Sequence, residues 1–361
     1  TAQGTTTANI TAKTLTATAS ASNKVYDGNT TASVTLTLSG LVGSETLGQS
    51  VGATFADKNV ANAKTVTVNS ITLSDDGGLA SNYTISTGQT TTANITPKAL
   101  TIAGITASNK TYNGNTTATI DFDSATFTGL VDGDDVTVSA TGTFDNENVG
   151  TNKTVTLVET NAGDDVGNYT ITAQGTTTAN ITAKTLTATA SASNKVYDGN
   201  TTASVTLTLS GLVGAETLGQ SVGATFADKN VANAKTVTVN SITLSDGDNG
   251  GLASNYSIST GQTTTANITA KALTIAGITA SNKTYNGNTT ATIDFDSATF
   301  TGLVDGDDVT VSATGTFDNE NVGTNKTVTL VETNAGDDVG NYTITAQGTT
   351  TANITAKTLT A

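Results

Sequence analysis

Apolar and polar residues alternate with a period of two along most of the chain, and nothing in it sustains a helical period. In Lys13–Ala21, KTLTATASA, residues Leu15, Ala17, Ala19 and Ala21 fall on one side, with Thr14, Thr16, Thr18 and Ser20 on the other. The pattern returns with Val34, Leu36 and Leu38, then with Val51, Ala53 and Phe55, then with Val66, Val68, Ile71 and Leu73. Two shorter runs offer Tyr83 with Ile85 and Ala93 with Ile95. Successive side chains on a strand point to opposite faces, so each run predicts a strand with one buried face. Gly, Asn and Asp clusters separate the runs. They predict six or seven short strands closed into a sandwich or a partly closed barrel.

The whole pattern repeats. Asn23–Thr31, NKVYDGNTT, returns as NKTYNGNTT at Asn109–Thr117, as NKVYDGNTT at Asn194–Thr202 and as NKTYNGNTT at Asn282–Thr290, a period of about 86 residues. Self-similarity at a fixed period means an array of like units. Two types alternate: residues 13–97 and 184–270 are type A, and residues 98–183 and 271–356 are type B. The B copies are identical. The A copies differ at Ser44 against Ala215, Thr84 against Ser257 and Pro97 against Ala270, and by an insertion near Asp246–Asn249. Thr1–Ala17 recurs at Thr172–Ala188 and at Thr345–Ala361. Residues 1–12 therefore read as the end of a preceding repeat and residues 357–361 as the start of a following one, a window on a longer array.

The junctions carry no flexible linker. Thr-rich alternation runs without a break from Tyr83 to Ile102, from Tyr169 to Leu186 and from Tyr256 to Ile275. A last strand leading straight into the next first strand fixes the angle between repeats. The expectation is an all-β chain: a tandem array of four small β-sandwich (Ig-like) domains forming an elongated rod, with near-continuous strands across the junctions. Within each repeat, Asp27–Gly28 or its Asn-Gly equivalent is placed to make a tight turn needing positive φ, while Tyr26 covers the end of the core. A ligand contact by that tyrosine is the alternative.

Composition narrows the function. The chain has no Cys, His, Met, Trp or Arg, one Pro, and a formal net charge of −15. Absence of Cys rules out a disulfide framework. The negative charge argues against nucleic acid and anionic membrane surfaces as partners. No apolar run approaches the ~18–20 residues of a membrane-spanning helix. Without His, Cys or Arg, only paired carboxylates remain for acid–base chemistry, and an enzyme is not expected.

The acids concentrate in type B, which has ten against five in type A. Asp121 and Asp123 are expected on one strand face, Asp132 lies close to Asp134 and Asp135, and Asp164 precedes Asp165. Calcium takes six to eight oxygens, so these seven are the candidate metal ligands, with calcium the one candidate cofactor. None of them matches the twelve-residue EF-hand loop. The alternative is that they are solvated acids that keep a Thr-rich surface soluble and discourage edge pairing. Two further readings attach to asparagine: glycosylation at Asn-x-Ser/Thr sites such as Asn29 and Asn82, and a Lys24–Asn82 isopeptide crosslink.

The ordered motifs NKVYDGNTTA, SGLVGSETL, GATFADKNV, KTVTV, SNYTI and TANITPK resemble the YDG-type repeat found in tandem in large secreted bacterial surface proteins, the filamentous-haemagglutinin-like adhesins. Type B carries the equivalents NKTYNGNTTA, TGLVDGDDVTV, GTFDNENVGTNKTVTL, VGNYTI and TANITAK, with Asn113 and Asn286 in place of the Asp of the name-giving triplet. The resemblance implies an extracellular, cell-surface setting and brings no catalytic residues. The leading expectation is a stalk segment that holds a distal binding domain away from the cell, its partners being the neighbouring repeats of its own chain. The runner-up is a segment of a self-assembling extracellular fibre, in which other copies of the chain are partners as well.

Overall fold

A computed structural model describes residue 1 and residues 3–360. The described residues form strands, turns and four single-turn 3-10 segments, with no α-helix. Two compact units divide the chain, Thr1–Thr182 and Ala183–Ala361, each an A repeat followed by a B repeat. The pairing seen in the sequence is therefore also the packing unit.

In the first A repeat the strands are β1 (Lys13–Ala21), β2 (Lys24–Val25), β3 (Thr31–Ala32), β4 (Val34–Ser39), β5 (Leu47–Phe55), β6 (Ala61–Asp75), β7 (Tyr83–Ile85) and β8 (Thr90–Thr96). They form a three-stranded sheet in the order β4-β1-β7 and a five-stranded sheet in the order β2-β8-β6-β5-β3. β1 runs antiparallel to β4 and parallel to β7, and β8 runs parallel to β2 and antiparallel to β6. The alternation places the core as expected. Leu15, Leu36, Ala53, Phe55, Val66, Val68, Ala93 and Ile95 are all buried. The intervening threonines are mostly exposed, which suits β-branched residues on a solvated pleated face.

Val68 and Ile71 pack toward the same core although their spacing is three, an odd number. A register shift between Gly52 and Ala53 accommodates the extra residue of β6. A bulge of this kind restores the inward face after an odd spacing.

The B repeat follows the same plan through β9 (Lys98–Ala103), β10 (Thr106–Ala107), β11 (Lys110–Thr111), β12 (Thr117–Ala118), β13 (Ile120–Asp121), β14 (Thr126–Thr128), β15 (Thr137–Phe144), β16 (Gly150–Ala162), β17 (Tyr169–Thr172) and β18 (Thr176–Thr182). Its first strand is broken where type A is continuous. Gly104 takes φ +80, and a Cβ there would lie 2.1 Å from the Ser124 carbonyl oxygen. Only glycine fits a backbone approach that close. The kink sends Ile105 fully inward and splits the sheet into β14-β9-β17 and β10-β13.

Between A and B only Pro97 interrupts the run from β8 into β9. In the second unit Ala270 breaks the same run, so the interruption does not depend on proline. One cluster of buried side chains spans this junction. It joins Tyr26, Phe55, Val66 and Ile95 of the A repeat to Leu100, Val136 and Tyr169 of the B repeat.

Because Leu100 is completely buried in this shared cluster, Leu100→Ala is expected to cost about 2–5 kcal/mol in denaturant unfolding. Val158, on the outer face and 65% exposed, should tolerate the same truncation within about 0.5 kcal/mol.

Candidate functional site: the junction latch

A densely bonded polar cluster lies where A meets B in each unit. Tyr26 closes the A repeat, and its backbone N–H donates to the Thr96 carbonyl. Gly28 takes φ +77, which turns the chain and leaves Tyr26 pointing out of the end of its sandwich. The Tyr26 hydroxyl donates to the Asp134 carboxylate of the B repeat, at 2.8 and 3.0 Å from its two oxygens. The Tyr169 hydroxyl donates to the same carboxylate and accepts the Val131 N–H at 2.9 Å. The two rings meet edge to face, 5.5 Å between centroids at 76°. That is a favoured aromatic geometry.

Lys58 completes the charge balance. Its ammonium reaches Asp134 at 2.9 Å and Asp165 at 3.0 Å and lies 5.9 Å from the centre of the Tyr26 ring. Next to it, the Val60 N–H donates to the Asn168 side-chain carbonyl at 2.9 Å, and Asn168 is 5% exposed. A 3-10 turn, Val166–Asn168, presents Asn168 immediately before Tyr169. The motif GNY thus supplies two latch residues from one turn. Every group in the second unit repeats this arrangement: Tyr197 and Tyr342 on Asp307, Lys229 between Asp307 and Asp338, and Val231 on Asn341.

The name-giving glycine has a second duty. A Cβ on Gly28 would lie 2.7 Å from Cγ1 of Val131, and one on Gly199 would lie 2.7 Å from Cγ1 of Val304. The turn is therefore also a notch that seats the valine of the next repeat.

Electrostatics follow from burial. The Asp134 side chain is only 2% exposed, and burial alone pushes its carboxyl upward. Hydrogen bonds from Tyr169, Lys58 and Tyr26 outweigh that and hold it below the usual carboxylate value. Burial, with the bond to Asp134, pushes Tyr169 up to about 12 and raises Tyr26 as well. Lys58 is raised by its bonds to Asp134 and Asp165. The arrangement keeps one carboxylate ionised and two phenols neutral, and it joins two repeats through a single buried charge.

The seven aspartates proposed as metal ligands divide differently from expectation. Asp134 and Asp165 do converge, but around the Lys58 ammonium of the preceding repeat. Asp135 and Asp165 cap each other's segment: the Asp135 N–H donates to the Asp165 carboxylate and the Asp164 N–H to that of Asp135. Asp132 is exposed in the same loop. Asp121 ends β13, and Asp123 lies in the following turn with its N–H on the Asp121 carboxylate, so the two do not share a strand face. Among the described residues no three acidic side chains come together to hold a metal ion. The Lys24 ammonium bonds Asn29, the Thr31 carbonyl and Asp27 within its own loop.

Sequence reading missed the roles of Lys58, Asn168 and Tyr169. A signal was present: type A carries Lys58 where type B carries Glu147, and type B carries Asp165 where type A carries Leu79. A charge exchanged between the tail of one repeat type and the head of the other marks a contact.

The fold and latch define a class, tandem all-β repeats joined by a specific junction. The YDG domain family model matches residues 11–93, 96–179, 182–266 and 269–359, and the chain belongs to that family. No curated protein matches it. Among solved structures, Drosophila N-cadherin EC1-4 aligns with 93% of this chain and 98% of that chain, at 8% identity and a TM-score of 0.25. The I9-I11 tandem of titin aligns with 71% of this chain and 98% of that chain, at 10% identity and a TM-score of 0.18. Superpositions that loose carry no argument.

Asp134→Asn combined with Asp307→Asn should destabilise each unit by about 1.5–3 kcal/mol, because hydrogen bonds to a buried charge are lost. Asp121→Asn should change stability by less than about 0.5 kcal/mol. A carboxyl held low in the folded state stabilises above its unfolded value and loses that contribution as pH falls through the folded one. Acid titration of stability should therefore show a drop below the ordinary aspartate value of 3.8 that the double variant lacks. Tyr169, raised from 10.0 to about 12, stabilises below pH 10 and should lose that contribution between those two values.

Gly28→Ala and Gly287→Ala share the strain of positive φ, but nothing lies within 4 Å of a Cβ at Gly287. Urea denaturation should show Gly28→Ala to be the more damaging of the two.

Proposed function

We propose that this chain is a spacer, a stalk segment of a large secreted bacterial cell-surface adhesin that holds a distal binding domain away from the cell. It does so without catalysis. The observation that supports this most directly is the A-to-B latch, present with the same partners in both units. A tether would place flexible, polar residues between domains. Here one residue separates β8 from β9, and a shared apolar cluster with a buried carboxylate bridges the gap. That investment resists bending between repeats, which is what a spacer needs. Family membership supports a repeated structural module, and the resemblance to adhesin repeats supports a cell-surface setting.

Electron microscopy of the parent surface material tests the reading. Beaded threads one domain wide are expected, with Tyr26→Ala plus Tyr197→Ala increasing the bending between paired beads. Filaments several chains thick would overturn it.

A further inference from the structure

The turn loop of each repeat is built round a lysine, and the two repeat types differ in what surrounds it. In the first A repeat the Lys24 ammonium donates to the backbone and side-chain carbonyls of Asn29 at 3.0 Å and to the Thr31 carbonyl at 3.1 Å. It also lies 5.8 Å from the centre of the Phe55 ring. Asp27 supplies its counter-charge at 2.6 Å. The second A repeat has the same pair, Lys195 and Asp198, at 2.7 Å. In the first B repeat Lys110 makes the same contacts, with the Asn115 carbonyls at 2.7 and 2.8 Å, the Thr117 carbonyl at 3.1 Å and the Phe144 ring centre at 5.5 Å. Asn113 stands where Asp27 does and holds the same turn. The Asn115 N–H donates to the Asn113 side-chain carbonyl at 3.3 Å, as the Asn29 N–H donates to the Asp27 carboxylate at 3.2 Å. Lys110 is thus half-buried with no carboxylate paired to it among the described residues, and burial lowers it below the ordinary lysine value.

We infer that Asn113 is a self-modification site whose product is aspartate, giving Lys110 the counter-charge that Lys24 already has. The next residue is Gly114, and glycine puts no side chain beside its backbone nitrogen. Asn113 and Gly114 are both exposed, so water reaches them. The Gly114 nitrogen attacks Cγ of Asn113. A bond forms between them, the bond from Cγ to Nδ2 breaks, and Nδ2 leaves as ammonia with the proton that the Gly114 nitrogen gave up. Water then adds at Cγ and breaks the new bond, which returns a proton to the Gly114 nitrogen and leaves aspartate with the main chain unchanged. Addition of water at the Asn113 main-chain carbonyl would instead give isoaspartate, with one more methylene in the turn. Both acids close to the imide again, so the turn, its ends fixed by β11 and β12, selects the aspartate. The A repeats show that this loop holds an aspartate with the rest of its contacts in place.

Asn286 and Gly287 repeat the pair beside Lys283, which has the same three acceptors. The chain has one further Asn-Gly pair, Asn249 and Gly250, where the Asn249 amide is anchored on the Ala215 carbonyl at 3.1 Å. Each conversion adds one negative charge to a chain already at −15 and turns the B loop into the A loop. This goes beyond the spacer reading, which does not depend on it.

Incubation of the full chain at mildly alkaline pH, followed by intact mass and peptide mapping, tests the proposal. Asn113 and Asn286 should each gain about 1 Da, as aspartate, ahead of Asn249. Asn113→Gln should remove the gain at that site and leave the one at Asn286. Asn113→Asp should move the titration of Lys110 upward, as followed by NMR, and raise the melting temperature of its unit by about 1–2 °C. An Asn113 that remains an amide long after the same chain in urea has converted overturns the inference. Isoaspartate as the main product at that site overturns it too, as does a Lys110 titration that Asn113→Asp leaves unmoved. None of these results bears on whether the chain acts as a spacer.

Discussion

A carboxylate with 2% of its surface exposed is costly unless every oxygen is satisfied, and Asp134 cannot be satisfied by its own repeat. Tyr169 supplies one donor from within. The others, Tyr26 and Lys58, arrive only with the preceding repeat. The B fold thus presents a charge that is fully compensated only when an A repeat is docked. This makes the junction selective as well as cohesive. A repeat with Glu in the Lys58 position, as type B has at Glu147, would place a third acid against Asp134 and Asp165, and that arrangement is disfavoured.

Apolar packing and the polar latch act together here. The shared cluster supplies apolar contact, and contact of this kind is tolerant of direction. The latch removes that tolerance. A phenol hydroxyl, an ammonium and an asparagine carbonyl must each find particular partners across the junction, and the Gly28 notch accepts one valine. Repeats of this size bury limited surface alone, so a neighbour that extends the core contributes stability as well as position. This is the nearest-neighbour behaviour of repeat arrays, with the coupling concentrated in a few residues.

Most of the fold was legible because the alternation is so regular. Leu15, Leu36, Phe55, Val66 and Ile95 face inward as their spacing predicts, and Gly28 turns as Asp-Gly should. The break at Gly104 was not legible, since a glycine inside an alternating run fits a bulge, a kink or a close approach equally well. The site was half legible. Tyr26 does cover the end of its core, but the group it covers it against lies 108 residues further on, and no local pattern reports such a pairing. The acids were recognised as a cluster, but the ammonium that two of them surround was not foreseen. Asp134 and Asp165 sit as ligands would, with a lysine ammonium of the neighbouring repeat as the cation between them. Charge clustering alone does not distinguish a metal from an ammonium supplied by another domain.

The direction of the latch also decides what kind of assembly it can make. The donor half, Tyr26 with Lys58 and Val60, lies at one end of a repeat, and the accepting half, Asp134 with Asn168 and Tyr169, is at the other end of the next. Neither half is complementary to itself. A contact between unlike faces is heterologous: it does not close two bodies into a symmetric pair, and it leaves an unused face at each end. Adding an A–B pair therefore regenerates the same accepting and donating surfaces. An A–B pair that carries one half on each end can be lengthened by duplication without redesigning any junction. Near-identical copies then follow as a physical convenience, because each new repeat must match both neighbours at once.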